Sequence, residues 1–276
     1  MGNHNAPADM TVRTREPEGK RSWDCLECLC GSPQRVTLLE VLSGAEIDLR
    51  SLVDELNSPR TTVQRNVSLL ERHGWIERRS GGYATTQIGQ SLLDVFTETL
   101  ESIDRLNTLS PFFDVVDSPL HLDIGEFDKP SVTVPDHGRP HLPMNRLVKT
   151  LDTAVYRRGF LPVVSQMLVQ HVGQADVLDL TDSEVILSRE TVGALLERQP
   201  TDEERATKGV EILVYEDELP YGSLIFEDRL LLAGYDDMGR IQALVESDSP
   251  RAIEWANGVY EKYRRESTYL CDDVSD

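Results

Sequence analysis

The chain has 276 residues and 39 % hydrophobic content, enough for two modest domains with packed cores, and a formal net charge of -20. With 23 Arg but only 5 Lys among its cations, the acidity fits a salt-rich cytoplasm, against the plainer alternative of an ordinary acidic protein. No run of about 20 apolar residues and no charged-then-apolar leader is present, and four cysteines, three of them clustered, do not make a disulfide framework, so the expectation is a cytoplasmic protein without a membrane span.

Residues 1–30 read as a flexible arm ending in a short Cys-containing helix. Met1–Lys20 is polar, with Pro and Gly and no periodicity. Its Arg13, Arg15, Lys20 and Arg21 belong to a solvated tail, with brushing contacts to phosphate as the alternative. Cys25, Cys28 and Cys30 follow. Structural zinc takes four ligands, usually in two separated pairs. Here Cys28 and Cys30 are only two apart, and His73 and Cys271 are the distant additions. The expectation is no metal. The cysteines read as small apolar residues packed inward on a helix, with a redox-sensing thiol pair as a second reading.

Residues 31–90 read as a winged helix-turn-helix. Ser32-Pro33 opens a helix with Val36, Leu38, Leu39, Val41 and Leu42 inward. Asp48 caps a second helix, Leu49–Leu56. Ser58 can cap a third, with Pro59 in its first turn and Val63, Val67 and Leu70 forming its buried stripe. His73-Gly74 ends that helix. Trp75–Arg79, a Ser80-Gly81-Gly82 turn and Tyr83–Thr86 make a tight basic hairpin. Three helices, a short turn and a wing outline a DNA-binding domain. Arg60, Thr61, Thr62, Gln64 and Arg65 offer themselves to base edges. Arg78 and Arg79 suit phosphates or the minor groove, with Tyr83 supporting the wing. An exposed helix face is polar in any case, and Arg72 reads as structural.

Charge distribution supports this placement. Acidity normally opposes nucleic-acid binding, yet residues 1–90 carry 11 basic and 12 acidic side chains, whereas 91–276 carry 17 and 36. Within Ser58–Gln90 there are five Arg and two Glu.

Residues 91–110 read as a linker or dimerisation helix, overlapping a helical pattern over Thr86–Leu106. Its apolar stripe is wider than the winged helix requires, so it either pairs with a second subunit or packs against the next domain. Residues 111–270 read as an α/β effector-binding domain, and 271–276 as an acidic tail. Phe112, Phe113, Val115 and Val116 suggest a short packed segment, and Ser131–Val134 a strand. His137-Gly-Arg-Pro-His141 is an exposed loop, with anion contact as the alternative and metal disfavoured by spacing. Asn145–Val155 reads as a helix, Tyr156–Pro162 as a break, and Val163–Val172 as another helix. Ala175–Leu180 and Glu184–Leu187 are strand-like, and Ser188 caps a helix from Arg189 to Arg198. Val210–Tyr215, Ser223–Phe226, Arg229–Ala233 and Ile241–Glu246 are strands. Ser249-Pro250 opens a terminal helix through Arg265. The fold class is therefore α+β or α/β: a winged helix-turn-helix followed by an α/β domain with a mixed sheet.

This order, with DVLDLTDSEVILSRETVGALLE, KGVEILVYEDELPYGSLIFEDRLLLAGYDDMGRIQALVESDSP and RAIEWANGVYEKYRRES, resembles the archaeal regulators that join a winged helix to the middle domain of the methanogenesis regulatory proteins. The likeness is to the haloarchaeal TbsP-type transcription regulators, related in concept to TrmB-like sugar sensors, and it spans about residues 30 to 268. The resemblance implies a ligand-responsive regulator of metabolic genes, with a sugar phosphate of central carbon metabolism as the effector class. TrmB-like sensor domains are similar in shape to phospholipase D, but the catalytic His-x-Lys pattern of that enzyme is missing: His137 is followed by Arg139.

The expectation is a non-enzyme with no cofactor. Its partners are double-stranded DNA, a small-molecule effector and a second copy of itself. A phosphorylated effector would be held by Arg and helix N-termini, which makes Arg157, Arg158, Ser165, Arg189 and Thr191 the anchors and Tyr221, Ser223 and Tyr235 the walls. A ligand-independent architectural DNA-binding protein, or an enzyme in the second domain, is the alternative.

Overall fold

The computed structural model describes residues 20–116, 122–174, 183–197 and 210–270, in two compact units, Met1–Thr99 and Leu100–Asp276. The readings of residues 1–19 as an arm, 175–180 as a strand and 271–276 as a tail lie outside the described residues.

The first unit begins with α1 (Lys20–Cys30), α2 (Pro33–Leu42), α3 (Leu49–Glu55) and α4 (Arg60–Arg72). The hairpin β1 (Ile76–Arg78) and β2 (Tyr83–Thr85) follows, and then the first half of α5 (Gln87–Phe113). Their inward faces converge on Leu29, Leu38, Leu42, Leu52, Val63, Leu70, Trp75 and Phe96, all buried. Burying each such side chain is worth about 1.5–3 kcal/mol, so shared burial holds these short helices in place. Of the three cysteines, only Cys28 is buried; Cys25 is half-buried and Cys30 exposed. Inward packing therefore holds for one of them, because a helix with one buried stripe cannot bury positions 25, 28 and 30 together.

Two helix starts differ from each other in an instructive way. Asp48 caps α3, its carboxylate accepting from the backbone N–H of Arg50 at 2.8 Å and of Ser51 at 3.2 Å. The Ser51 backbone bond does most to hold its carboxyl below the usual range. Ser58 does not cap α4, which starts at Arg60 with Pro59 in the cap position. The Ser58 hydroxyl instead donates to the Leu56 carbonyl and accepts from Gln34. The turn is closed by Asn57 in the left-handed region, φ 44°, a conformation Asn tolerates better than most residues.

In the second unit, the last turns of α5 precede β3 (Ser131–Thr133), α6 (Leu142–Thr153), β4 (Tyr156–Leu161), α7 (Gln166–Gln174), β5 (Ser183–Ser188) and α8 (Arg189–Glu197). Then come β6 (Val210–Tyr215), β7 (Gly222–Phe226), β8 (Leu230–Tyr235), β9 (Ile241–Ser247), α9 (Pro250–Arg265) and β10 (Thr268–Tyr269). One eight-stranded sheet results, ordered β10-β6-β5-β4-β7-β8-β9-β3. The β4, β5 and β6 pairs are parallel and the others antiparallel. The mixed sheet follows from the chain order: helical crossovers first give parallel pairs, and short hairpins then give antiparallel ones.

Both faces of the sheet are covered. Phe112 at the end of α5, Phe127, and Ala252, Ala256 and Tyr260 of α9 pack on one face with Phe160, Ile186 and Leu213. Leu147 and Leu151 of α6, Leu168 of α7 and Val192 of α8 pack on the other with Leu187, Val214 and Leu231. The segment Tyr156–Pro162, expected to be a break, supplies the central strand β4. Arg157 and Arg158 obscured the apolar pattern of a strand whose Tyr156, Phe160 and Leu161 are buried. Gly159 is needed there, since a Cβ would lie 2.1 Å from the Ser223 carbonyl of β7. Likewise Phe112 and Phe113, expected in a short separate segment, form the last turn of the 27-residue α5.

A polar tie fastens α9 to the sheet. Glu184 of β5 accepts from Arg264 at 2.7 and 2.9 Å and from the Tyr260 hydroxyl at 2.7 Å. The Arg264 bonds hold the Glu184 carboxyl below the usual range, against burial and with help from Tyr260. The Tyr156 hydroxyl closes the network on the Glu184 carbonyl at 2.8 Å.

Candidate nucleic-acid interface

α4 is amphipathic by construction. Val63, Asn66, Val67 and Leu70 face the core. Arg60, Thr61, Gln64 and Arg65 are exposed, and Thr62 is half-buried at the start of the helix. No side chain caps this helix. The Thr62 and Val63 N–H groups donate to the Pro59 carbonyl, so the N–H groups of Arg60 and Thr61 and the positive end of the dipole are the part open to an anion.

The wing is pinned from three sides. Arg78 pairs with Tyr83 across the hairpin, and Tyr83 exchanges both backbone hydrogen bonds with Ile47, at 2.9 and 3.0 Å. Glu46 accepts from the Gly81 N–H at the tip. At the base, Thr86 donates its hydroxyl to the Gly74 carbonyl at 2.7 Å, and its N–H to the Trp75 carbonyl at 2.9 Å. Gly89 is required where α5 leaves the wing, because a Cβ would stand 1.9 Å from the Trp75 carbonyl. The Tyr83 ring is half-buried against the core, so it shapes the wing from behind.

The cations of this unit divide into two sets. Arg79 is paired with Glu77 at 2.7 Å, Arg72 donates to the Ser68 carbonyl, and Arg35 is engaged between α1 and α4. Among the described residues, Arg60, Arg65 and Arg78 make neither an ion pair nor a hydrogen bond through their guanidinium groups. Arg50, exposed on α3, makes none either, so the open positively charged side chains lie on α3, α4 and the wing. Glu46, Ile47 and Asn66, which build this surface from behind, carried no local sequence signal: their partners lie at least 31 residues away.

The eight residues expected to hold an effector fall at two ends of the sheet. Arg157 and Arg158 are near the amino end of β4. Arg157 donates to Glu227 at 3.1 Å, and Arg158 to Glu261 at 2.9 Å while lying over the Tyr260 ring. Both line a charged cleft with Glu184, Glu211, Glu261 and Arg264. Ser165, Arg189 and Thr191 gather at the carboxyl ends of β4 and β5. Ser165 accepts from the Leu168 N–H, Thr191 donates its hydroxyl to the Pro162 carbonyl, and Arg189 pairs with Glu216. Tyr221 is buried edge-on to Phe112 and Phe160, at 5.9 and 5.2 Å. The Ser223 hydroxyl is buried and has no hydrogen-bond partner among the described residues. The Tyr235 hydroxyl lies 2.9 Å from where a Gly222 Cβ would be, and burial pushes its pKa up. Among the described residues, no group of His, Cys, Asp and Glu could hold a metal ion, and no helix is long and apolar enough to cross a membrane.

Residues 140–266 match the family model described as the middle domain of the methanogenesis regulatory protein FilR1. Residues 23–108 match the model of the HVO_A0261 N-terminal domain. No curated protein matches the chain. Among solved structures, the chain is similar to the archaeal chromatin protein TrmBL2, with 11 % identity, a TM-score of 0.36, and coverage of 90 % of this chain and 100 % of that one. It is also similar to Nuc of Salmonella typhimurium, a phospholipase D family member, with 10 % identity, a TM-score of 0.36, and coverage of 51 % and 99 %. NucT of Helicobacter pylori gives 12 % identity, a TM-score of 0.35, and coverage of 51 % and 99 %.

Proposed function

We propose that this chain is a DNA-binding transcriptional regulator whose second unit responds to a small metabolite. One observation carries the reading: among the described residues, the guanidinium groups of Arg60, Arg65 and Arg78, on the exposed side of α4 and the wing, make no ion pair or hydrogen bond, in a chain of net charge -20. Unpaired guanidinium groups in so acidic a protein are well suited to phosphate and to guanine edges. The match of residues 140–266 to a regulatory protein's middle domain supports a sensing rather than catalytic second unit. In this reading a homodimer sets two α4 helices in successive major grooves, and the effector, a sugar phosphate or a relative, binds the second unit and shifts operator affinity. A coupling of about 1–3 kcal/mol suffices for control.

The test is Arg65→Ala on an operator selected from a random-sequence duplex pool. Affinity should fall by about 1–3 kcal/mol, with specificity relaxed at one position. The melting temperature should not change, because Arg65 is exposed. Equal affinity of the two proteins in a titration would remove α4 from the interface.

A further inference from the structure

The thiols of α1 take no part in the proposed interface, yet they are connected to it. Cys25 and Cys28 are three apart on one helix, so they share a face with about 5–6 Å between their Cβ atoms. Cys28 is buried, Cys25 is half-buried, and both are free thiols. Burial pushes the Cys28 thiol up, and Cys25 is close enough to add to that shift.

Arg35 of α2 contacts Cys28 directly. Its Nη1 donates to the Cys28 carbonyl at 2.5 Å and lies 4.0 Å from the sulfur. The Nε of the same guanidinium donates to Asn66 Oδ1 at 3.4 Å. Asn66 is on the inner side of α4, buried, and adjacent in sequence to the unpaired Arg65. One planar, rigid group thus spans from the thiol to the helix that presents the open cations.

We infer that Cys25 and Cys28 are a modification site: a hydroperoxide converts them to an intrachain disulfide, and through Arg35 and Asn66 this shifts α4. The half-buried Cys25 sulfur attacks the peroxide first. Its S–O bond forms, the O–O bond breaks, and the leaving hydroxide or alkoxide takes up a proton as water or alcohol. The Cys28 sulfur then attacks the resulting sulfenic acid. The S–S bond forms, the S–O bond breaks, and the hydroxyl leaves as water with the Cys28 proton. Two electrons pass from the thiols to the peroxide, and a dithiol reverses the change by exchange.

The bridge is too short for an undisturbed α-helix, because disulfide Cβ atoms lie about 3.5–4.5 Å apart. A tighter 3-10 turn brings positions i and i+3 into line. The end of α1 already contains one such bond, from the Ser32 N–H to the Leu29 carbonyl at 3.3 Å. Tightening the preceding turn moves the Cys28 carbonyl, and with it the anchor of Arg35.

Only the effect on DNA rests on the regulator reading, and the measurements separate the two. The full chain is treated with hydrogen peroxide and followed by intact mass, peptide mapping, hydrogen exchange of α4 and titration with the selected duplex. The inference expects loss of two hydrogens, a bridge between Cys25 and Cys28, faster exchange around Asn66, and affinity lower by roughly tenfold. Dithiothreitol should restore all four. Cys25→Ser should abolish the response, and Cys30→Ser should leave it intact. A bridge to Cys30 or Cys271, no bridge at all, or a bridged protein with unchanged α4 exchange would overturn the inference. A bridge and altered exchange in a chain that never binds the duplex would uphold the coupling and defeat the regulator reading.

Discussion

Glu184 shows how much one side chain can decide. It accepts two bonds from Arg264 and one from the buried Tyr260, fastening α9 to the centre of the sheet. Glu184→Gln keeps the shape but loses the charge, and should cost about 1–3 kcal/mol at pH 7 by urea unfolding. The sign follows from the shift. The folded carboxyl titrates below its unfolded value, held there chiefly by Arg264. Its contribution is therefore fully present above the unfolded carboxylate range, near pH 4.3, and lost as pH falls through the lower folded value. The gap between wild type and variant should close on acidification through that window. A gap that is the same at pH 3 and pH 7 would mean the stabilisation is not ionic. Neither Glu184 nor Arg264 could be picked out among the 48 acidic and 28 basic residues of the sequence, since they are 80 positions apart.

The helix α5 bears on the proposed assembly. It starts against the wing and ends with Phe112 in the core of the second unit. Its inward positions Leu93, Phe96, Leu109 and Phe112 are buried, yet Ile88, Val95, Ile103 and Leu106 are exposed. At 3.6 residues per turn these four, with the half-buried Leu92, fall in one stripe of near-heptad spacing. The wide apolar pattern read from the sequence is thus resolved into two faces, one packed and one open. If the open face joins the proposed homodimer, Val95→Glu should give a monomer in light scattering after size exclusion, with little change in monomer fold. A wild-type chain that is already monomeric at micromolar concentration, or a dimeric variant, would exclude this face as the seam.

Over the whole molecule, charge is divided between the regions as the proposed roles require. Residues 1–90 are close to neutral, whereas 91–276 carry nearly the whole net charge. Self-repulsion among those carboxylates opposes compaction. Salt shortens the Debye length from about 10 Å at 0.1 M to about 3 Å at 1 M. The melting temperature should therefore rise over that range, while affinity for the selected duplex falls as phosphate contacts are screened. Opposite slopes are the signature of an acidic fold carrying a local cationic surface. A melting temperature that falls with salt would contradict the repulsion argument.

Periodicity and local chemistry were enough to place most elements: Val63, Val67 and Leu70 mark α4, Asp48 marks the start of α3, and helix-strand alternation before hairpins marks a mixed sheet. Such features are written within a few residues of one another, so the sequence alone determined them. Those that depend on distant partners had to wait for the tertiary structure. β4 passed for a break because its arginines masked a strand whose neighbours, β5 and β7, lie far along the chain. Asn66 carries no inward signal in the sequence, and only packing shows it turned inward, toward Arg35. The open state of Arg60, Arg65 and Arg78 is of the same kind. Sequence supplies the guanidinium groups, but only the folded chain shows which carboxylates come within reach to neutralise them, and among the described residues none reaches those three.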